Sequence, residues 1–436
     1  MKFYDRETEI ELLQEIAVNS VNFAQMTLLL GRRRVGKTTL LRNAFQKSKE
    51  VVYFFIAKKN ELLLCEEFGR EVEEKLGFFL GNFQKFSHLF KALMIQSKNK
   101  NFTVIIDEIQ EFDSINSSIF SDIQNIWDSH KDDSKMNLIC CGSVYSIMKK
   151  IFENNKEPLF GRATSKIMVK PFAIRVIKQI LQDYNPDYKK EDLLAFYMVT
   201  GGIAKYIEQL VLNKAFTKNK ILDTIFKHSS FFLDEGRAVL VDEFGKDYGN
   251  YFSILSLIAS SKNERSEIEN ILNMEIGGYL DKLEKDFNII KRIRPFGAGE
   301  GSRNNRYKIE DNFLNFWFRF IYKYRSAIEI GNLEYVKNIV ERDYETFSGF
   351  ILENYFRTVL IESNRFSEIG NYWNKKGENE IDIIAVNDYE KTIKFYEVKR
   401  NKKRISLYAL EEKSKEIAKK YHNYFIEYFG LSLEDM

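Results

Sequence analysis

The sequence predicts an α/β fold, with a parallel sheet at the core of its first domain. The prediction comes from three short apolar runs, residues 26–30, 102–106 and 137–141, each followed by glycine or acidic residues. Runs that are apolar throughout are typical of parallel strands buried on both faces. Several domains are expected, because 436 residues are about three times the usual domain length of roughly 150 residues.

Composition excludes several classes of protein. Hydrophobic residues make up 44% and charged residues 30% of the chain, which excludes an intrinsically disordered protein. The net charge of +3 excludes a strongly basic, histone-like chain. The 3 cysteines cannot form a disulfide framework, and no apolar run reaches the ~18–20 residues that span a bilayer. We therefore expect a cytoplasmic protein without a membrane partner.

The first apolar run leads into a phosphate-binding loop. Residues 31–38 match the pattern G-x-x-x-x-G-K-[ST] at every fixed position. Glycines let backbone N–H groups surround a phosphate, Lys37 supplies positive charge, and the Thr38 hydroxyl is suited to ligate Mg²⁺. The motif therefore predicts ATP and Mg²⁺ as cofactors. The residues expected to contact the nucleotide are Gly31, Arg32, Arg33, Arg34, Val35, Gly36, Lys37, Thr38 and Thr39.

The other two apolar runs are followed by polar side chains suited to the same site. Because the carboxyl ends of parallel strands share one sheet edge, Asp107, Glu108 and Ser143 are expected close to the phosphates. Asp107 is the expected Mg²⁺ ligand, directly or through water, and Glu108 the residue that polarises the attacking water. Ser143 is a candidate sensor of the γ-phosphate. Together with a catalytic Lys37, these residues predict ATP hydrolysis.

In this order and spacing, the motifs resemble those of the archaeal-type ATPase family, a branch of the AAA+/STAND-like P-loop ATPases. The resemblance extends over essentially the whole chain. Within the segment 158–172 it marks Arg162 as a candidate catalytic arginine, acting in cis or in trans, that stabilises charge on the γ-phosphate. A structural ion pair is the alternative role of Arg162. The family usually has proline where this chain has Ala204, which puts the coupling of this segment to the nucleotide in doubt.

The middle of the chain predicts helices and one hairpin. Residues 174–247 have the leucine and aromatic spacing of helices and are read as a helical lid. Residues 248–312 predict three helices and a hairpin, the order found in a winged helix-turn-helix. Its basic side chains are expected to rest on DNA phosphates, with docking inside the protein as the alternative. The basic side chains in question are Lys282, Lys285, Lys291, Arg292, Arg294, Arg303, Arg306 and Lys308, and Tyr279 of the third helix belongs to the same cluster.

Two strands near the C-terminus carry a second set of charged residues. Residues 380–386 and 393–399 predict a hairpin whose register sets Asp382 opposite Glu397. Two facing carboxylates among apolar side chains repel each other, and a divalent metal resolves that conflict. Lys399 is then placed to orient water or to offset phosphate charge.

This arrangement is similar to the D…E-x-K pattern of PD-(D/E)XK nucleases. The resemblance implies that Glu353, in the preceding helix, is a further metal ligand beside Asp382 and Glu397, and that Lys399 is catalytic. The alternative is a cluster of ion pairs, in which Lys399 neutralises the carboxylates of a domain that only binds.

The expected organisation is a P-loop ATPase core at 1–173, a helical lid at 174–247, a winged helix-turn-helix at 248–312 and a small α/β nuclease-like domain at 313–436. The expected function is an ATPase whose nucleotide state controls DNA binding, and metal-dependent DNA cleavage, by the C-terminal module. The alternative is a regulatory switch or scaffold that binds DNA or protein partners without cleavage. A homo-oligomer is compatible with either function.

Overall fold

The computed structural model describes residues 1–245, 248–299, 301–302, 304–374 and 379–436. They pack into two compact units, Asp5–Lys170 and a second unit that comprises Met1–Tyr4 and Pro171–Met436. Within the described ranges, no helix is both long and apolar enough to cross a membrane.

The first unit is built around a five-stranded sheet. Its elements in chain order are α1 (Glu7–Asn19), β1 (Gln25–Leu30), α2 (Lys37–Ala44), β2 (Val51–Phe55), α3 (Glu61–Leu76), α4 (Phe86–Gln96), β3 (Phe102–Asp107), α5 (Phe112–Ile115), α6 (Ile119–His130), β4 (Met136–Cys141), α7 (Tyr145–Glu153) and β5 (Ser165–Met168). The strand order is β2-β3-β4-β1-β5, and every pair is parallel. This confirms the predicted parallel α/β core.

The three predicted strands form the centre of this sheet. Strands β1, β3 and β4 are buried along their whole length, as their continuous apolar sequences predict. Successive side chains point to opposite faces, so Leu28 joins the apolar cluster on one face and Leu29 the cluster on the other. Because β4 lies between β1 and β3, the strand before the phosphate loop and the acidic strand are not neighbours.

The second unit begins with helices and ends in a second sheet. The helices of the predicted lid are α8 (Ile174–Tyr184), α9 (Lys190–Thr200), α10 (Ala204–Leu212), α11 (Lys218–Ile225) and α12 (Phe231–Phe244). Then come α13 (Tyr248–Ala259), α14 (Arg265–Leu272), α15 (Gly277–Lys285), β6 (Ile290–Ile293) and β7 (Arg306–Ile309). The β6–β7 pair is antiparallel, so the predicted helices and hairpin are present. Their assignment to a winged helix-turn-helix stays a prediction.

The C-terminal part of the second unit contains a four-stranded sheet and a long helix. Its elements are α16 (Asn312–Phe316), α17 (Arg325–Glu329), α18 (Leu333–Glu362), β8 (Glu368–Trp373), β9 (Glu380–Asn387), β10 (Thr392–Lys399), α19 (Leu407–Ala418) and β11 (Phe425–Ser432). The strand order is β11-β10-β9-β8. Strands β9 and β10 are antiparallel with Val386 opposite Ile393, which confirms the predicted register.

Strand β9 contains an irregularity that the sequence did not predict. Gly370 of β8 pairs with Ile384 of β9, and Tyr372 pairs with Ile381. Between these two pairs β8 moves on by two residues, whereas β9 moves on by three. The extra residue is a β-bulge next to Asp382. Bulges redirect side chains relative to the regular alternation. Accordingly, Ile381 packs in the same apolar cluster as Ile384, although strict alternation would place them on opposite faces.

One apolar cluster runs through the whole second unit. It includes Ile177 of the predicted lid, Leu255 of α13, Phe313 of α16 and Tyr396 of β10. The aromatic run that begins at Phe313 is largely buried, as its helical spacing predicts, and it includes a π-helical turn at Trp317–Tyr322. The segments predicted as three domains therefore share one core, and the boundaries at 247 and 312 stay predictions.

Helix α10, which follows Gly201 and Gly202, begins normally without the proline that the family usually has there. Ala204 is the first residue of α10, a position where proline is favoured because its missing N–H has no helical partner there. Alanine has the highest helix propensity, so it also suits this position. The preceding Gly202 has φ 83°, and a Cβ there would collide with the carbonyl oxygen of Phe172. The tight turn before α10 therefore depends on Gly202 rather than on residue 204.

Gly236 lies within α12, where the backbone passes against a tryptophan. A Cβ at this position would overlap the indole ring of Trp317. We expect Gly236→Ala to lower the free energy of unfolding by about 1–3 kcal/mol, because the helix and the ring must move apart. Gly249 in α13 is the matched control, since a Cβ there meets no described atom within 4 Å and alanine favours the helix. Urea unfolding measures both variants, and equal stabilities would contradict this packing.

Candidate active site

The loop between β1 and α2 has the backbone geometry that phosphate binding requires. Gly36 has φ 100° and Arg34 has φ 73°, both in the left-handed region. A Cβ at Gly31 would come within 2.7 Å of the carbonyl oxygen of Val169, which explains the glycine there. Helix α2 begins directly at Lys37, so its N-terminal N–H groups, where the helix dipole is positive, follow the loop.

Lys37 is buried, and its ammonium lies over the loop. Its Nζ donates hydrogen bonds to the carbonyl oxygens of Gly31 at 2.8 Å and Arg32 at 3.3 Å. The arginines at 32–34 are half-buried. Val35 packs into the core, and Thr39 is exposed. The predicted phosphate-binding residues thus form one continuous loop and helix start, with the lysine held at its centre.

Asp107 ends β3 beside this loop and is buried. Its Oδ2 accepts hydrogen bonds from the Thr38 hydroxyl at 3.1 Å and from the Tyr53 hydroxyl. Its Oδ1 accepts from the Cys141 thiol at 3.0 Å and from the Glu108 N–H at 3.0 Å. Hydroxyl and carboxylate oxygens are ligands that Mg²⁺ prefers. The adjacent oxygens of Thr38 and Asp107 therefore fit a Mg²⁺ site.

Two members of this network, Tyr53 and Cys141, are not marked by any sequence motif. Burial raises the pKa of the Tyr53 phenol, and the hydrogen bond to Asp107 raises it further. Burial likewise raises the pKa of the Cys141 thiol. Both groups therefore stay protonated and donate to Asp107. The only sequence signal for them is their position on strands β2 and β4, the two neighbours of β3.

Glu108 follows Asp107 in a conformation that few non-glycine residues adopt. Its φ is 58°, in the left-handed region. Its Oε2 accepts hydrogen bonds from the Ser143 N–H at 3.0 Å and hydroxyl at 2.9 Å, and from the Gln110 side chain, which no motif marks. The structure therefore brings Glu108 and Ser143 together where β3 and β4 end. In this arrangement Ser143 positions Glu108, and its contact with a γ-phosphate stays a prediction.

Arg162 lies near the amino-terminal ends of the strands, opposite to the carboxyl ends where the phosphate loop begins. It precedes β5, and just after it the Thr164 N–H donates to the carbonyl oxygen of Met26 at 2.8 Å. Met26 is near the start of β1, whereas the phosphate loop follows the end of β1. The Arg162 guanidinium forms an ion pair with Asp128 at 3.1 Å. The structural ion pair is thus present, and Arg162 is not brought to the nucleotide site of its own chain. Action in trans stays a prediction.

We expect Arg162→Ala to leave the Kd for ATP unchanged within about twofold, because the side chain is remote from the phosphate loop. Loss of the part-exposed ion pair should cost at most about 1 kcal/mol of stability. ATP titration and thermal melting measure both quantities. Asp128→Ala is the matched control, because it removes the same ion pair from the other side. Weaker ATP binding by Arg162→Ala alone would contradict this placement, whereas slower hydrolysis with intact binding would indicate action in trans.

In the second unit, Asp382 lies at the bulge of β9. Its Oδ2 accepts hydrogen bonds from the Val398 N–H at 2.7 Å and from Lys399 Nζ at 3.0 Å. The regular pairing of β9 with β10 ends at Ile383. The predicted pairing of Asp382 directly opposite Glu397 is therefore corrected: the bulge turns the carboxylate onto the backbone of β10. Because both faces of β9 are apolar, the sequence pattern gives no sign of the bulge.

Glu397 is buried on β10 beside the same lysine. Its Oε2 accepts a hydrogen bond from the Ser406 N–H at 3.0 Å. Its Oε1 lies 3.6 Å from Lys399 Nζ and 3.7 Å from Lys413 Nζ. Burial by itself would lower the pKa of Lys399, but Asp382 and Glu397 outweigh it and raise that pKa, so the ammonium stays charged. Lys399 and Lys413 together thus balance the charge of the two carboxylates, the role that the sequence interpretation gave to a metal.

Glu353 lies on α18 and has an arginine partner. Its Oε1 accepts a hydrogen bond from Arg357 Nη2 at 2.5 Å, and the same Nη2 donates to the main-chain oxygen of Asp382 at 3.0 Å. Burial raises the pKa of Glu353, Arg357 opposes that rise, and Asp382 adds to it. Within the part of the chain that the structure describes, no group of three or more His, Cys, Asp or Glu residues is arranged to hold a metal ion. Metal binding by Glu353, Asp382 and Glu397 stays a prediction.

Basic side chains of the β6–β7 hairpin are engaged within their own unit. Arg292 forms ion pairs with two acids of α15, Arg306 pairs with Glu380, and Lys308 donates to Asn354 Oδ1 at 3.1 Å. The prediction that the whole set rests on DNA phosphates needs correction for these three, because each faces an acid or amide of the protein. Of the others, Lys282, Lys285 and Lys291 are exposed, Tyr279 and Arg294 are half-buried, and Arg303 lies outside the described residues.

The parallel sheet, the phosphate loop and the paired acids after β3 define a P-loop ATPase domain. Residues 3–210 match a family described as an ATPase domain predominantly from Archaea, and residues 317–416 match one described as archaeal and bacterial proteins of unknown function. Uncharacterized protein MJECL04 of Methanocaldococcus jannaschii is 31% identical over 408 residues, which cover 91% of this chain and 87% of that protein. The chain belongs to this family of archaeal-type ATPases.

Solved structures are similar to this chain at lower sequence identity. The Walker-type ATPase paby2304 of Pyrococcus abyssi superposes with a TM-score of 0.55 and 20% identity, over 73% of this chain and 96% of that chain. The ORC2 protein of Aeropyrum pernix, solved as ADPNP–ADP complexes, gives a TM-score of 0.48 and 13% identity over 79% of this chain and 96% of that one. The first likeness agrees with the P-loop ATPase fold. None of these matches bears on DNA cleavage.

Proposed function

We propose that the chain hydrolyses ATP at the edge of its parallel sheet, and that the bound nucleotide controls a DNA-contacting module in the C-terminal part. One observation carries the proposal of ATP hydrolysis: the Thr38 hydroxyl and the Glu108 backbone N–H both donate hydrogen bonds to the carboxylate of Asp107, which ends β3. A lysine, a hydroxyl–carboxylate pair and a second carboxylate are the groups that phosphoryl transfer to water requires.

Each residue of the site has a defined task in this proposal. Lys37 and the N-terminus of α2 stabilise negative charge on the phosphates. Mg²⁺, when bound through Thr38 and Asp107, supplies further positive charge against the phosphate oxygens. Ser143 holds one oxygen of Glu108, which leaves the other to accept a hydrogen bond from the attacking water.

For the second half, we propose that α13–α15 and the β6–β7 hairpin act as a winged helix-turn-helix. The exposed lysines Lys282, Lys285 and Lys291 support phosphate contacts from the third helix and the hairpin. Contacts of this kind release counterions from DNA, so the affinity must fall as the salt concentration rises. Binding that is independent of salt, or that survives Lys282→Glu combined with Lys291→Glu, would contradict DNA contact.

We propose further that the C-terminal part not only contacts DNA but also cleaves it with the help of a metal ion. Cleavage is supported by a continuous chain of contacts: Arg357 links Glu353 to the backbone of Asp382, and Lys399 links Asp382 to Glu397. Carboxylate oxygens are the donors that Mg²⁺ and Mn²⁺ prefer, and a lysine beside them suits a phosphate substrate.

A second candidate function is a switch or scaffold that binds DNA or protein without cutting. The observation that favours it is that each carboxylate already faces a cation of the protein. Glu353 faces Arg357, Asp382 faces Lys399, and Glu397 lies beside both Lys399 and Lys413. Buried carboxylates that are neutralised in this way do not need a metal for stability.

An assay on plasmid and linear DNA separates these two functions. The purified chain is tested with Mg²⁺ or Mn²⁺, with and without ATP, beside Asp382→Ala. Glu390→Ala is the matched control, because Glu390 is an exposed acid in the turn of the same hairpin. We expect ATP-dependent cutting that is lost in Asp382→Ala and kept in Glu390→Ala. Absence of cutting with either metal, while ATP hydrolysis is intact, would leave the binding switch as the function.

A further inference from the structure

The second unit contains a cavity beside the carboxylate cluster. It has a volume of about 440 Å³ and is lined by the β6–β7 hairpin, helices α13 and α18, and strands β8 and β9. Pockets that hold small molecules or nucleotides measure about 300–1,000 Å³. The cavity is therefore large enough for an organic ligand rather than for water or a single ion alone.

The carboxylates of the cavity wall are already neutralised. Each has a cationic partner from the protein, in three pairs: Glu380 with Arg306, Glu353 with Arg357 and Asp382 with Lys399. These pairs leave the wall without excess negative charge. Arg319 also lines the cavity, but it pairs with Asp343 at 3.9 Å. The remaining cation of the wall therefore determines which ligands the cavity attracts.

That remaining cation is Lys308 of β7, which lines the cavity and is half-buried. Its Nζ donates one hydrogen bond, to the neutral Asn354 Oδ1 at 3.1 Å, and among the described residues it has no ion-pair partner. Burial lowers its pKa to about 8, and the nearby Arg357 lowers it as well, against the weaker attraction of Glu353 and Glu310. A partly desolvated ammonium without an anion is unfavourable, and an anionic ligand would relieve the cost.

The same wall offers aromatic surface. Phe350 of α18 lines the cavity with 57% of its surface exposed, although it is a large apolar ring. Trp373 lines it as well, with the Arg306 guanidinium 4.6 Å from its ring centre. Flat rings beside a cation are the features that recognise a nucleobase joined to a phosphate.

We infer that this cavity binds a phosphate-bearing anion of nucleotide size, with Lys308 contacting the phosphate and Phe350 the base. The inference deepens the proposed function, because the cavity includes Glu353 and Asp382, but it requires neither a metal nor cleavage. The ligand is a free nucleotide or the phosphorylated end of a nucleic-acid strand, and both present the same chemistry to the cavity.

Calorimetric titration of the full chain tests the inference. The protein carries Lys37→Ala, which weakens phosphate binding at the loop, and EDTA is present, so that neither ATP hydrolysis nor a metal site contributes. AMP, adenosine, inorganic phosphate, and a trinucleotide with and without a 5′-phosphate are the probes. We expect AMP to bind more tightly than adenosine or phosphate. Binding of the phosphorylated trinucleotide through Lys308 would identify a strand end as the source, and binding of AMP alone a free nucleotide.

Three further substitutions separate the cavity from general surface charge. Lys308→Met should weaken AMP binding by about tenfold or more, because a charge-assisted hydrogen bond is lost while the side-chain volume is kept. Lys220→Met, on the exposed surface of α11 and outside the cavity wall, should leave the AMP affinity unchanged. Phe350→Ala should weaken AMP binding but not phosphate binding. Failure of every phosphate probe to bind, or equal affinities for AMP in Lys308→Met and Lys220→Met, would overturn the inference.

Discussion

Replacing Glu108 by glutamine is expected to lower the rate of ATP hydrolysis by about 10²–10⁴-fold, the usual contribution of a positioned general base. The amide has nearly the same size as the carboxylate, so it can keep the hydrogen bond from the Ser143 N–H. It cannot accept a proton from water. The affinity for ATP is therefore expected to stay within about threefold of the original value. Phosphate release under saturating ATP measures the rate, and nucleotide titration measures the affinity.

The matched control for this change is Glu111→Gln. Glu111 lies in the same loop, but its carboxylate pairs with the exposed Lys58 at 3.4 Å, away from Asp107. Its substitution should leave hydrolysis nearly unchanged. Ser143→Ala should give an intermediate rate, because Glu108 keeps the backbone N–H of residue 143 but loses the hydroxyl. If Glu108→Gln hydrolyses ATP as fast as Glu111→Gln does, the assignment of Glu108 as the residue that activates water is wrong.

Replacing Lys37 by alanine is expected to weaken ATP binding by about 10–100-fold, the range for a lost charge-assisted hydrogen bond. The reason is that its ammonium, held over the loop by the carbonyl oxygens of Gly31 and Arg32, is the main positive charge that the loop offers to the phosphates. Hydrolysis should fall with it. Titration with a fluorescent ATP analogue in the presence of Mg²⁺ measures the affinity.

Lys47→Ala is the control for Lys37→Ala. Lys47 is exposed and lies shortly after α2, so its removal changes the net charge equally without touching the loop. Thermal melting confirms that both variants are folded. Equal ATP affinities in the two variants would show that nucleotide binds elsewhere, and the assignment of the phosphate loop would fail.

The features that the sequence predicted well are those in which a function or a core demands fixed residue types. The phosphate loop needs glycine at 31 and 36 and a lysine at 37, so a pattern reveals it. The register of β9 and β10 followed from matching apolar positions and a short turn, and it was confirmed as far as Ile383. Buried parallel strands were likewise visible as continuous apolar runs.

The features that the sequence did not predict depend on local backbone geometry or on contacts between distant segments. The bulge beside Asp382 leaves no trace in a strand that is apolar on both faces. Strand β5 is only partly apolar and is short, so it was not recognised. Arg162 lies shortly before that strand, so the distance of Arg162 from the phosphate loop could not be deduced either. The contacts of Tyr53 and Cys141 with Asp107 depend on β2 and β4 being the neighbours of β3, and no motif in the sequence specifies that strand order.

Strand β4 separates the two halves of the nucleotide site. Lys37 follows β1 and Glu108 follows β3, and β4 is hydrogen-bonded to both of these strands. The residue directly after β4 is Gly142, and no larger residue fits there, because a Cβ at Gly142 would collide with the side chain of Gln110. The distance between the group that binds phosphate and the group that activates water is set by the backbone hydrogen bonds on the two sides of β4, which keep neighbouring strands roughly 4.8 Å apart. Because backbone groups rather than side chains fix this distance, it should stay the same in chains that share the motifs but differ in the core residues of β4.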